Sequence, residues 1–153
     1  IYNNLVKLSR NIYFYKELKL DDKLENRIII IFAHLAIILN NIKKNNELKN
    51  LSQELYDNVF LNIENDLREI GHGDVTVNKK MKQLNQIFHH ILIKFISNNK
   101  NQLKVSEFMK FLFFKDKNPE LSSKLTLYFE KYNNFCFDIV NKNMIKEIIK
   151  FEY

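Results

Sequence analysis

The sequence is poor in residues that interrupt regular structure. It has two glycines, one proline and no tryptophan among 153 residues, so few positions force a helix to end. Its single cysteine, Cys136, excludes an internal disulfide, which is typical of a reducing compartment. Because Phe135 and Phe137 flank this cysteine, we expect a buried, inert thiol rather than a nucleophile.

Long apolar runs are also scarce. The longest extends from Ile28 to Leu39 and is interrupted by His34. A helix needs about 20 apolar residues to span a bilayer. We therefore expect a buried core helix here and no membrane-spanning segment, and we interpret His34 as a hydrogen-bonded core histidine.

Arginine is rare although the chain is basic. The net charge is +6, but 21 of the 24 basic residues are lysine. Such a charge normally indicates nucleic acid or an anionic membrane. Because Lys, Asn and Ile are abundant throughout, as in AT-rich genomes, most lysines fit scattered solvated positions. The residues that persist against this bias are candidates for specific roles; they are Arg10, Arg27, Arg68, Gly71 and Gly73.

The spacing of apolar residues is helical almost throughout. The clearest pattern has steps of four, with Tyr56, Phe60 and Ile70 beside it; it consists of Leu51, Leu55, Val59, Ile63 and Leu67. Gly71 is expected to end this helix. A further helix follows, capped by Thr76 or Asn78, with its apolar side at Val77, Met81, Leu84, Phe88, Ile91 and Phe95.

Four other helical segments complete the predicted fold. One covers Tyr2–Leu18, and the next begins at the capping-box pair Asp22 and Glu25 and fades after Lys43. A short helix is expected at 105–114 and a long one from Pro119, with a last segment at 144–149 as a separate turn or a continuation. The prediction is one domain over residues 1–153, an all-α compact bundle of about six helices.

Residue types that carry chemistry occur without the spacing that chemistry needs. His89 and His90 are adjacent and point about 100° apart on a helix, and no second ligand cluster accompanies them. His72 and Asp74 could form a dyad, but no serine or cysteine is nearby in sequence, so we favour helix capping by Asp74. Phosphate loops, dinucleotide fingerprints and nucleophile elbows are missing. We expect no enzyme activity, no metal and no cofactor.

One corner of the sequence stands out. Arg68 and both glycines fall within six residues, and a lysine cluster follows, as suits an acidic or polar partner. The alternative for Arg68 is an intramolecular ion pair with Glu64, Asp66 or Glu69. The candidate partner-binding residues are Arg10, Arg27, Arg68, Glu69, Gly71, Gly73, Asp74, Lys79, Lys80 and Lys82.

Two groups of residues follow the pattern of a known family. In the N-terminal part they are Leu5-Val6, Ser9-Arg10, Phe14-Tyr15, Asp22, Arg27 and His34. In the central part they are 52–57, Phe60, 66–71, Gly73-Asp74 and 77–81. Through these residues the sequence resembles the ubiquinol–cytochrome c chaperones over roughly residues 2–95. The chain departs from the family pattern at His72, Asn78 and His90-Ile91.

The resemblance implies an all-α chaperone without catalytic residues. Its client would be newly synthesised cytochrome b, during assembly of the cytochrome bc1 complex. It further implies a contact with the ribosome near the tunnel exit, a small helper protein and a peripheral membrane contact, with no DNA. We expect a bacterial cytoplasmic protein, peripheral at the inner face of the cytoplasmic membrane; the alternative is the matrix side of the mitochondrial inner membrane.

A second interpretation belongs to another class. The lysines at 43, 44, 79, 80 and 82 would suit a ribosome- or RNA-binding helical module. Phosphate contacts weaken steeply as salt rises, so binding that is insensitive to salt would argue against this alternative.

Overall fold

The computed structural model describes residues 1–43, 48–96, 110, 112–114, 118–139 and 144–153. Within these ranges every regular element is helical, and the predicted all-α class is confirmed. The helices are α1 (Tyr2–Ser9), α2 (Ile12–Lys16), α3 (Leu24–Lys43), α4 (Lys49–Glu69), α5 (Asp74–Ile96), α6 (Pro119–Asp138) and α7 (Met144–Glu147), followed by a 3₁₀ turn (Ile148–Lys150).

Helix α3 is the centre of the bundle. It is apolar on every side, and residues 28–39 are all buried, as expected for a helix enclosed by others. Its neighbours are α1, α4, α5 and α6. By length and mean hydropathy (1.3 over 18 residues) α3 would suffice to cross a membrane, but 78% of that window is buried against the rest of the protein. Its place in the core accounts for its apolar character.

The first predicted helix is in fact two. The chain breaks at Arg10 and Asn11, between α1 and α2. The side-chain oxygen of Asn11 accepts a hydrogen bond from the backbone N–H of Tyr13 at 2.9 Å. Asparagine is a favoured N-cap residue, and Asn11 starts a second helix. The prediction of one continuous helical segment over Tyr2–Leu18 was therefore wrong.

Two predicted helix starts also need correction. Helix α3 begins close to the expected place, but the carboxylate of Asp22 accepts hydrogen bonds from the side chain of Arg27 instead of capping the helix. Helix α5 begins at Asp74, before Thr76 and Asn78, and the N–H of Val77 donates to the carbonyl of Gly73 at 2.9 Å. Gly73, an acceptable N-cap residue, therefore occupies that position.

In the described residues after 96, helix α6 begins where the sequence predicts. Pro119 opens α6, and the side chain of Asn118 accepts a hydrogen bond from the N–H of Leu121. The last segment is a separate short helix and a 3₁₀ turn. Lys44 and most of the expected helix at 105–114 lie outside the described residues.

Three phenylalanines connect the central helices. Phe32 of α3, Phe60 of α4 and Phe88 of α5 are in mutual ring contact, with centroids 5.2 to 5.5 Å apart. The short links between these helices make neighbours run in opposite directions. The start of α3, the end of α4 and the start of α5 therefore lie at one end of the bundle.

Candidate functional site

The α4–α5 turn (residues 70–73) has a geometry that requires glycine. Gly71 has φ of +100°, a region that L side chains rarely adopt. Its N–H donates to the carbonyl of Arg68 at 2.9 Å, and the N–H of His72 donates to the carbonyl of Leu67 at 3.3 Å. These two bonds form the Schellman motif that ends a helix. The predicted role of Gly71 as a helix stop is confirmed.

Arg68 joins the end of α4 to the start of α5. Its Nη2 lies 2.8 Å from Oε1 of Glu64, its Nε lies 3.2 Å from the same oxygen, and its Nη1 donates to the carboxylate of Asp74. These hydrogen bonds, first to Glu64 and then to Asp74, raise the pKa of Arg68. The intramolecular alternative was right about Glu64, whereas the pairing with Asp74 was missed.

Asp66 has a different partner. It accepts a hydrogen bond from the hydroxyl of Tyr2, which ties α1 to the last turns of α4. Burial of Tyr2 and its bond to Asp66 raise the pKa of the tyrosine. The end of α4 that carries Arg68 is therefore held from two sides, by α1 and by α5.

Exposed apolar side chains surround this corner. Leu61 is 58% exposed, Ile70 59% and Val75 84%. Leu61 and Arg68 are seven residues apart and so share the outward face of α4. Sequence reasoning assigned Ile70 to the apolar side of α4 and did not single out Leu61 or Val75. The sequence signal for the exposure of Leu61 and Val75 is that neither residue lies on the buried side of its helix. This can be recognised only when it is known which residues of α4 and α5 are buried.

The predicted site residues fall into three groups. Arg68, Glu69, Gly71, Gly73 and Asp74 lie together at the α4–α5 turn. The lysines lie further along α5, where Lys79 and Lys82 are exposed and Lys80 is half-buried. Among the described ion pairs, none involves these three lysines.

The third group is a separate corner at the start of α3. Nε and Nη2 of Arg27 make a two-pronged pair with the carboxylate of Asp22, at 2.7 and 2.8 Å. The hydrogen bond from Arg27 lowers the pKa of Asp22. Arg10 acts electrostatically on the same carboxylate and on Tyr15. No direct contact between this pair and Arg68 is seen within the described part of the chain.

The conspicuous buried polar group is His34. Its Nδ1 lies 2.7 Å from the carbonyl oxygen of Ile30 and so carries the proton, and its Nε2 accepts from the hydroxyl of Tyr128 at 3.0 Å. The rings of Phe129 and Tyr132 pack edge-on against the imidazole. Burial lowers the pKa of His34 to about 4. The interpretation as a hydrogen-bonded core histidine is confirmed.

Cys136 and Asp74, the other candidates for chemistry, also have structural roles. Cys136 is buried, and burial raises the pKa of its thiol to about 12, so it is a core thiol as expected. The carboxylate of Asp74 binds Arg68 and forms no dyad with His72 among the described contacts. Within the described residues, no group of three or more His, Cys, Asp or Glu side chains could hold a metal ion.

The central helices and this turn match a known family. The ubiquinol-cytochrome C chaperone family model matches residues 16–97, just over half of the chain. The chain belongs to the ubiquinol-cytochrome c chaperone family. No curated protein matches the chain. Among solved structures, that of the Cbp3 homolog from Brucella abortus is similar, with a TM-score of 0.76 and 23% identity, over 100% of this chain and 86% of that one. At this identity the likeness establishes the fold.

The extent of the chaperone match is informative. It contains Arg27, Arg68, both glycines and the lysine cluster, which agrees with the resemblance seen in the central motif. The resemblance at residues 2–15 lies before the matched range, so Arg10 falls outside it. Helix α6, which supplies Tyr128, follows the matched range and is covered by the fold comparison, which extends over the whole chain.

Proposed function

We propose that the protein is an assembly chaperone of the cytochrome bc1 complex that binds newly synthesised cytochrome b. The observation that supports this function is the family match over residues 16–97, which includes the whole α4–α5 turn. A polytopic membrane subunit exposes apolar segments before it is assembled, and such segments aggregate. A helical surface with exposed aliphatic anchors can bind them.

The end of α4 offers the features for this task. Leu61, two helical turns before Arg68 on the same helix face, and Ile70, at the C-cap, present aliphatic surface. The guanidinium has five N–H donors, of which three are bonded to Glu64 and Asp74. The remaining donors are available to a carbonyl or carboxylate where an apolar client segment ends.

The pairing of Arg68 also sets the shape of this surface. Because it connects Glu64 on α4 with Asp74 on α5, it fixes the direction in which the α4–α5 turn leaves the bundle. In this proposal Arg68 has two roles: it contacts the client, and it positions Ile70. We further propose that the protein works at the inner face of the bacterial cytoplasmic membrane, where such a client is inserted.

The test is capture of cytochrome b in the native host. Tagged wild type, Arg68→Ala and Lys124→Ala are purified, and the bound proteins are identified by mass spectrometry. Lys124 is the matched control because its side chain is 39% exposed, against 40% for Arg68, and is likewise paired with a carboxylate four residues earlier, Glu120 at 2.9 Å. Wild type and Lys124→Ala should enrich cytochrome b over other membrane proteins, and Arg68→Ala should not.

Two results would count against the proposal. A folded Arg68→Ala variant that still captures cytochrome b would remove Arg68 from the client surface. Enrichment of ribosomal proteins and RNA by the wild type, without cytochrome b, would favour the ribosome- or RNA-binding alternative.

A further inference from the structure

Charge is unevenly distributed between the two helices that flank the turn. Helix α4 contains five carboxylates and two basic residues. Helix α5 contains four lysines, and its only carboxylate is that of its first residue, Asp74. The two basic residues of α4 are accompanied by carboxylates, whereas the lysines of α5 are not. The segregation indicates that α5 faces something negatively charged.

The outward face of α5 is a continuous stripe. Val77, Phe88 and Ile91 are fully buried and define the inward face. On the opposite side, spaced by whole helical turns, lie the exposed residues Val75, Lys79, Lys82, Gln86 and Ile93, and the exposed His89 and His90 flank the stripe between the last two. Val75 is 84% exposed and Ile93 is 63% exposed. The stripe therefore has an aliphatic residue at each end, with two lysines and a glutamine between them and two histidines at its flanks.

We propose that this α5 stripe docks the protein on an anionic lipid bilayer, with α5 lying along the membrane surface. The ammonium groups of Lys79 and Lys82 would meet lipid phosphates, while Val75 and Ile93, about 27 Å apart along the helix axis, enter the headgroup layer. The proposal goes beyond client binding: it concerns a different helix face from that of Leu61 and Arg68, and no client is needed.

The composition of the stripe favours lipid over RNA. Sequence-tolerant RNA binding combines cations with aromatic side chains that stack on bases. The most exposed apolar residues of the stripe, Val75 and Ile93, are both aliphatic, and the ring of His89 beside them lies near the rings of Tyr56 and Phe88. Exposed aliphatic side chains gain from contact with acyl chains and gain little from a phosphate backbone. Arg68, the arginine nearest to the stripe in sequence, directs three of its N–H groups to Glu64 and Asp74.

The experiment measures binding of the full chain to vesicles by flotation. Vesicles of phosphatidylglycerol and phosphatidylcholine are compared with vesicles of phosphatidylcholine alone, and a ribosomal RNA fragment is measured in parallel. Each lysine near an anionic surface strengthens binding about fivefold, so the double variant Lys79→Gln/Lys82→Gln should lose roughly 25-fold. Val75→Ser should lose about fivefold in vesicle affinity and leave any RNA binding unchanged.

The matched control removes two exposed lysines elsewhere, Lys7→Gln/Lys16→Gln. It causes the same change in net charge and should weaken vesicle binding by less than about threefold, because distant surface charges are screened. Circular dichroism verifies that all variants are folded. The proposal is overturned if both double variants lose binding equally, if neutral vesicles bind as tightly, or if only the RNA fragment is bound. None of these readouts depends on cytochrome b.

Discussion

Two regions of the molecule place polar residues in opposite environments. One is the cluster of Tyr128, Phe129 and Tyr132 around His34, and the other is the α4–α5 turn. His34 is fully buried, neutral, and hydrogen-bonded on both ring nitrogens. Arg68 is charged, about 40% exposed, and bonded to two carboxylates that water also reaches. The first arrangement specifies how α3 packs on α6. The second leaves donors and neighbouring aliphatic side chains at the surface.

The difference separates residues kept for stability from residues kept for binding. Removing one partner of a buried polar pair is costly, because the other partner is left without a hydrogen bond. Exposed ion pairs contribute little to folding. An exposed arginine that persists in a chain where lysine is seven times more frequent therefore fits recognition better than stability.

The largest expected effect is that of His34→Ala. The change leaves a cavity in the core and removes the acceptor of the Tyr128 hydroxyl, so the free energy of unfolding should fall by about 3 kcal/mol. Chemical denaturation measures this loss. Leu127→Ala, at an exposed position on α6, is the control and should change the free energy much less. An equally small change for His34→Ala would mean that the cluster does not hold α3 to α6.

Acidification should act on the same cluster. The pKa of His34 is about 4 in the folded protein, against 6.5 for an ordinary histidine. Above pH 6.5 the residue is neutral in both states; between pH 6.5 and 4 the unfolded chain takes up the proton first, so stability falls as pH falls. The loss attributable to His34 should reach roughly 3 kcal/mol by pH 4.

The measurement for this pH effect is a series of denaturation curves for wild type and His34→Gln. The variant lacks the titrating group, so the difference between the two proteins should narrow as pH falls through this window. A difference that stays constant between pH 6.5 and 4 would contradict the assignment of the effect to His34.

A smaller effect is expected at the turn, where the two glycines form a matched pair. A Cβ at Gly71 or at Gly73 would meet no atom within 4 Å outside the adjoining residues, but only Gly71 has a positive φ. Gly71→Ala should therefore lower the free energy of unfolding by about 1 kcal/mol through backbone strain. Gly73→Ala should lower it by less, because it loses only the preference for glycine over alanine at the N-cap of α5. Thermal melts of both variants check this order, and equal losses would mean that the Schellman geometry is not what requires glycine.

The smallest effect on stability is expected for Arg68→Ala, because its ion pairs are exposed and screened by water. Its melting temperature should stay closer to that of the wild type than that of Gly71→Ala does. Arg68→Ala is therefore expected to have the smallest effect on stability although it should abolish capture of the client. A large loss of stability in Arg68→Ala would show that Arg68, like His34, is needed mainly for folding.

Helical periodicity was sufficient to predict most of the fold. Steps of three and four placed the buried sides of α4 and α5, and the environment of His34 and Cys136 followed from their apolar neighbours. The errors occurred at helix ends. Asp22 was assigned as a cap although an arginine five residues later competes for its carboxylate, and Asn11 was not recognised as the break between α1 and α2.

The candidate site was predicted only in part, because it depends on which side chains remain uncovered. The composition drew attention to Arg68, Gly71 and Gly73, since they are rare in this chain. It could not show that Asp74 would reach back to Arg68 across the turn, since that contact exists only when α4 and α5 are both folded. Nor could it show that Leu61 and Ile70 stay exposed, which depends on how neighbouring helices pack.

The most direct test of the proposed client surface is site-specific photo-crosslinking in the native host. A photoreactive amino acid is placed at Ile70 or, for comparison, at Leu127, an exposed apolar position on α6 that is 48% exposed. The account predicts adducts with newly synthesised cytochrome b from position 70 and none from position 127. Adducts with cytochrome b from position 127 alone, or with ribosomal proteins alone from position 70, would contradict it.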